Sequence, residues 1–158
     1  DNRDKSAEQQ TRDWEAAKAR ERGPAGALDG VALGLPALTR ALKLQKRAAR
    51  VGFDWTDSAD VLAKIAEEAR ELHDARQTLS EDKIADEFGD LLFVLVNLGR
   101  HLNLDPEAAL RGTNAKFTRR FEYIEAELAK QGRTPDDATL EEMDTLWDAA
   151  KTRERQKS

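Results

Sequence analysis

The chain has 158 residues, 26 Lys and Arg against 31 Asp and Glu, and no cysteine. The net charge of −5 argues against a nucleic-acid partner, which calls for a basic surface that meets phosphates. The lack of cysteine excludes disulfides, thiolate-ligated metals and thiol nucleophiles. No stretch approaches ~18 consecutive apolar residues, so no membrane-spanning helix is expected and the expected location is cytoplasmic.

Residues 1–22 hold twelve charged side chains and one large apolar one, Trp14. Alone they bury too little surface to offset the entropy of ordering. Gly23-Pro24-Ala25-Gly26 and Asp29-Gly30 follow as linker and turn signals. Residues 14–22 (WEAAKARER) and 147–155 (WDAAKTRER) agree at seven of nine positions. The repeat leads us to expect residues 1–32 to be the tail of an upstream, related domain plus a linker, largely disordered. The folded domain then covers 33–155, and 156–158 form a short disordered tail.

Five helices are predicted downstream. The first begins at Pro36, whose fixed φ suits a first helical position, and runs to about Arg50, where Gly52 breaks it. The second is capped by Asp57 or Ser58 and runs to about Gln77. Ser80 caps the third, with Glu81 and Asp82 favourably placed against the helix dipole; it is nearly all apolar from Leu91 to Leu98 and so is expected to be the most buried. Asp105-Pro106 opens the fourth, which carries Phe117, Phe121, Ile124 and Leu128 on one face and ends near Gly132. Thr139 and Glu142 form a capping box for the fifth. No segment sustains a period of two, so an all-α fold is expected.

Two predicted helices carry acids where apolar residues belong. Glu68 falls within the line Ile65–Ala69–Leu72, with Glu71 three residues on. Glu87 falls within Ile84–Phe88–Leu91, with Asp90 three residues on. Burying unpaired carboxylates costs several kcal/mol each, and four that converge would repel. Hard divalent cations resolve the conflict, because Mg²⁺ prefers carboxylate oxygens, and two such ions could make a hydrolytic site. The plainer alternative is a set of solvated acids paired with Lys and Arg. A ferritin-like di-iron site is rejected, since His73 and His101 miss its Glu-x-x-His spacing. Lys64 and Lys83 stand one turn before Glu68 and Glu87, placed either to meet phosphates or to pair with the acids. On the fourth helix Lys116 and Arg120 are neighbours four residues apart beside Phe117 and Phe121, a suitable pair for phosphate. On the fifth, Trp147 and Lys151 share a face.

Glu67-Glu68-Ala69-Arg70-Glu71, fifteen residues, then Glu87-Phe88-Gly89-Asp90 resembles the EExxE…ExxD signature of the all-α nucleoside triphosphate pyrophosphohydrolases. With Val51-Gly52-Phe53-Asp54-Trp55, Asn97-Leu98-Gly99-Arg100-His101 and Asn114-Ala115-Lys116-Phe117, the chain more narrowly resembles the C-terminal domain of the MazG family. The resemblance covers about residues 33–155. It implies a dimeric helical bundle with a four-helix core. It implies Mg²⁺-dependent hydrolysis of nucleoside triphosphates between the α and β phosphates, with Mn²⁺ as a substitute. The implied ligands are Glu68, Glu71, Glu87 and Asp90, with Glu67 as an auxiliary acid. The implied nucleotide contacts are Lys64, Lys83, Lys116, Arg120, Trp147 and Lys151. Two alternatives stay open: a narrow-substrate relative acting on dUTP or phosphoribosyl-ATP, and a helical interaction module without catalysis.

Overall fold

The computed structural model describes residues 26–55, 57–78 and 80–156, together with Gln9. Five α-helices follow in order: α1 (Ala37–Arg50), α2 (Ser58–Thr78), α3 (Glu81–His101), α4 (Pro106–Ala129) and α5 (Leu140–Arg155), with a 3-10 turn at Pro135–Asp137. No strand occurs among the described residues, so the all-α expectation holds. No helix among them is long and apolar enough to cross a membrane. The chain divides into two compact units, Asp1–Asn97 and Leu98–Ser158. Apart from Gln9, residues 1–25 of the expected tail lie outside the described residues, as do the Trp14–Arg22 half of the repeat and residues 157–158.

In the first unit, Gly26 to Gly30 form a turn. The Gly26 N–H donates to Asp29 Oδ2 at 2.7 Å, and Arg47 of α1 donates to the Asp29 carbonyl at 3.0 Å. Pro36 stands at the N-cap of α1. The helix ends because Gly52 takes φ +86°, letting the N–H groups of Gly52 and Phe53 return to the carbonyls of Ala49 and Ala48, a left-handed helix end that favours glycine. Asp57 caps α2 by accepting from the Ala59 N–H at 2.9 Å. Gln45, the buried residue of α1, donates through Nε2 to the Phe93 carbonyl at 2.8 Å and so ties α1 to α3.

The buried line of α2 runs through Val61, Glu68 and Ala75, seven residues or about two turns apart. The predicted line lies to one side: Ile65 and Leu72 are half-buried and Ala69 is exposed. On α3 the inward line is Ile84, Glu87, Leu91 and Val94, whereas Phe88 is 50% exposed. Glu68 and Glu87 therefore lie on the inward lines of their helices, as expected, although the apolar residues flanking them differ from those predicted. Within the apolar run of α3, Val94, Val96 and Asn97 are buried, while Leu92, Phe93 and Leu95 are 39–43% exposed.

The second unit packs α4 against α5 over Ile124, Leu128 and Ala150. Asp105 caps α4 by accepting from the Ala108 N–H at 3.1 Å, with Pro106 in the first turn. The capping box of α5 is present: Glu142 N–H to Thr139 Oγ1 at 3.2 Å and Thr139 N–H to Glu142 Oε2 at 2.8 Å. Between the helices, Arg133 donates to both carboxylate oxygens of Glu142 at 2.9 and 3.0 Å and to the Asp137 carbonyl at 2.7 Å. The Arg133 hydrogen bonds, with the Thr139 N–H, hold the Glu142 carboxyl down at about 2 against an ordinary 4.5.

A group with a depressed folded pKa stabilises above its unfolded value, and that contribution is lost as pH falls through the folded one. Glu142→Gln is therefore expected to lower the melting temperature at neutral pH. The deficit shrinks as pH falls from about 4.5 towards 2. A deficit that is constant over that range would contradict the clasp.

Candidate active site

The acidic site is built in the first unit by two adjacent helices. Glu68 lies midway along the buried line of α2, and Glu71 follows one turn later, exposed. Glu87 is half-buried on α3. Carboxylate oxygens of these three residues lie within 4.8 Å of one another. At an effective dielectric constant of ~20, like unit charges that close repel by roughly 3 kcal/mol per pair. The effect registers on Glu87, whose carboxyl is pushed above its ordinary value first by burial and then by the charges of Glu71, Glu68, Asp90 and Asp86.

A divalent cation would reverse each of those repulsions. The donor set is all hard oxygen, which fits Mg²⁺, Mn²⁺ or Ca²⁺ and disfavours soft metals. The residues present thus fit a hard divalent cation. Asp90 is exposed and stands outside the trio, near enough for its charge to act on Glu87.

The cations predicted beside the acids take different positions. Lys64 Nζ lies 2.8 Å from Glu68 Oε1 and 3.2 Å from Glu67 Oε2. Lys83 is exposed in the first turn of α3.

In the second unit, Phe117 and Phe121 stack with centroids 6.1 Å apart, and Phe117 tilts against Trp147 at 5.4 Å. The Arg120 guanidinium lies 5.3 Å from the Trp147 ring centre, an attractive cation–π placement. Its Nε and Nη2 donate to Glu154 Oε2 at 3.0 and 2.7 Å, which holds the Glu154 carboxyl below its ordinary range. Lys116 is half-buried nearby and adds its charge to that effect. Lys151 instead pairs with Asp148 at 3.2 Å. Glu154 was not among the predicted site residues. It is 34 positions from Arg120, on another helix, so no local spacing signals it. Arg119, Arg120, Tyr123, Ala150, Arg153 and Glu154 line an open cavity of about 270 Å³.

The described residues are helical, with a carboxylate trio fit for a hard cation, and comparison with known proteins says which family they belong to. Residues 35–117 match the family model of phosphoribosyl-ATP pyrophosphohydrolase. That span reaches from the start of α1 into α4 and contains the whole trio. The chain belongs to this pyrophosphohydrolase family, in agreement with the resemblance drawn from its acid motif. It is 44% identical over 146 residues to the nucleoside triphosphate pyrophosphohydrolase of Escherichia coli (strain K12), covering 89% of this chain and 56% of that protein. It is 41% identical over 140 residues to the nucleoside triphosphate pyrophosphohydrolase/pyrophosphatase MazG of Thermotoga maritima, covering 87% and 54%. It is 45% identical over 145 residues to the Bacillus subtilis protein YabN, covering 90% and 30%. The chain thus spans about half the length of the first two relatives and less of the third.

Proposed function

We propose that the chain hydrolyses nucleoside triphosphates between the α and β phosphates, releasing nucleoside monophosphate and pyrophosphate, with Mg²⁺ as cofactor and Mn²⁺ able to replace it. The observation that carries this reading is the gathering of Glu68, Glu71 and Glu87 within 4.8 Å. The names of two relatives, nucleoside triphosphate pyrophosphohydrolases, support it. A cytoplasmic setting, where nucleotide pools are held, goes with the same reading, as does an upstream related domain.

Glu68, Glu71 and Glu87 hold the cation, with Asp90 as a fourth ligand from the same face of α3. When bound, Mg²⁺ supplies a nucleophilic water near neutral pH and neutralises charge on the triphosphate. Lys64 and Lys83 meet phosphate oxygens and offset the charge that builds on the departing pyrophosphate. Glu67, 52% exposed at its side chain, orients the attacking water and accepts its proton. Lys116, Arg120, Trp147 and Lys151 hold the nucleotide, Trp147 through its ring face and the cations through charge. The exposed Leu92, Phe93 and Leu95 of α3 support a homodimer, because such side chains on one segment are usually covered.

The family match favours a second reading on substrate alone: phosphoribosyl-ATP in place of common nucleotides. A panel of the common NTPs and dNTPs, dUTP and phosphoribosyl-ATP separates the two. Values of kcat/KM within about two orders of magnitude are expected across several bases, since a ring face stacks on any base and cations meet phosphates that every nucleotide carries. Turnover confined to phosphoribosyl-ATP or to dUTP would replace the broad substrate class. No turnover with either Mg²⁺ or Mn²⁺ would overturn the enzyme.

A further inference from the structure

The Glu68 side chain is 7% exposed, yet its Oε1 lies 2.8 Å from an ammonium, Lys64 Nζ. Lys64 is itself 33% exposed and shares its charge with the outer Glu67 at 3.2 Å. Both contacts are one-turn pairs along α2, so they need no other element to form. A buried carboxylate beside two others of like charge is favoured by a nearby cation, and Lys64 fills that need.

This arrangement conflicts with metal binding. The oxygen that Lys64 holds belongs to the buried member of the trio. A divalent charge among Glu68, Glu71 and Glu87 repels an ammonium seated on the same carboxylate. Lys is a point charge on a flexible four-carbon stem, so it can leave Glu68 and remain at the rim of the site beside Glu67. The strong anion that enters with the cation is the triphosphate.

We propose that Lys64 is an exchangeable counter-ion of the acidic site: it occupies Glu68 before the cation arrives, gives way on metal entry, and passes its charge to the triphosphate. The inference rests on the metal-site reading given above. It makes Lys64 a positioning residue in one state and a phosphate contact in the next. Its consequence is coupling. Metal alone binds against the Lys64–Glu68 pair and is held weakly, whereas metal with nucleotide gives the displaced ammonium a new partner. By linkage, nucleotide tightens metal binding and metal tightens nucleotide binding by the same factor.

The test is Mn²⁺ binding by the full chain, followed by electron paramagnetic resonance, with and without an α,β-methylene nucleoside triphosphate analogue. Without nucleotide, Lys64→Met should bind Mn²⁺ about tenfold more tightly than the unaltered protein, within the usual span of such couplings. The tightening that the analogue produces should shrink by a similar factor. Lys64→Gln should behave alike, which keeps the test decisive if Lys64→Met does not fold. Equal or weaker Mn²⁺ binding by a folded neutral variant would overturn the exchange and leave the metal site standing. No Mn²⁺ binding by any of these proteins would overturn the metal site and the exchange together.

Discussion

Glu68→Gln is expected to lower kcat for nucleoside triphosphate hydrolysis about a hundredfold or more at saturating Mg²⁺, with the helices intact. Loss of a residue that only supports a metal ligand already costs up to about a hundredfold, and Glu68 is proposed to be a ligand itself. The amide keeps the side-chain volume, so the buried line Val61–Glu68–Ala75 keeps its packing. It also removes one of three like charges gathered within 4.8 Å, which eases repulsion in the metal-free protein. Glu67 remains beside Lys64 at 3.2 Å to take its charge. The melting temperature should hold while activity falls, and the residual rate should rise little with further Mg²⁺. A kcat near that of the unaltered protein would remove Glu68 from the site.

Arg120→Met should raise the KM for nucleotide about tenfold or more and change kcat less. A hydrogen bond to a charged group contributes ~1.5–3 kcal/mol, which sets that scale. Arg120 is also structural: its side chain is 16% exposed and pairs with Glu154 at 2.7 Å. Truncating one member of such a pair destabilises the fold, so a lower melting temperature alone decides nothing. Glu154→Gln supplies the control. It weakens the same pair while leaving the guanidinium over Trp147. If Arg120 meets nucleotide, Glu154→Gln keeps a KM within about threefold of the unaltered protein. Equal KM defects in both variants, or none in Arg120→Met, would make Arg120 a packing residue.

The ends of the helices were largely legible from sequence because they are set locally. Pro36, Asp57, Asp105 and the Thr139–Glu142 box act within four residues of themselves, and Gly52 and Gly132 supply the left-handed φ that ends α1 and α4. Asn103 ends α3 in the same way, with φ +56° and the Leu104 N–H returning to the Gly99 carbonyl at 2.8 Å. Asn adopts that conformation less often than Gly, so it is a weaker sign of a helix end in the sequence. The direction in which each helix faces was less legible. Ile65–Ala69–Leu72 and Val61–Glu68–Ala75 are rival lines on one helix, and the second has a charge at its centre, so apolar spacing does not point to it. The Leu91–Leu98 run is apolar except for Asn97, and its apolar residues show no phase that separates Leu92, Phe93 and Leu95 from Val94 and Val96.

The gathering of Glu68, Glu71 and Glu87 was foreseen, since acids inside apolar lines on two successive helices stand out at the level of spacing. What they pair with was not fixed by spacing. Lys64 stands one turn before Glu68 and could equally meet phosphate, and the structure puts it on Glu68 at 2.8 Å. Arg133 with Glu142, and Arg120 with Glu154, join different segments of the second unit, so no periodicity within one helix reveals them. The Arg133 clasp sets the entry to α5, and with it the helix that carries Trp147 and Lys151.

The most direct test of the account is the identity of the products. The chain is supplied with a nucleoside triphosphate and Mg²⁺, and the reaction is followed by ³¹P NMR until substrate is consumed. Nucleoside monophosphate and pyrophosphate are expected in equal amounts, with no reaction once the cation is chelated. Nucleoside diphosphate with inorganic phosphate, or turnover that survives chelation, would contradict it.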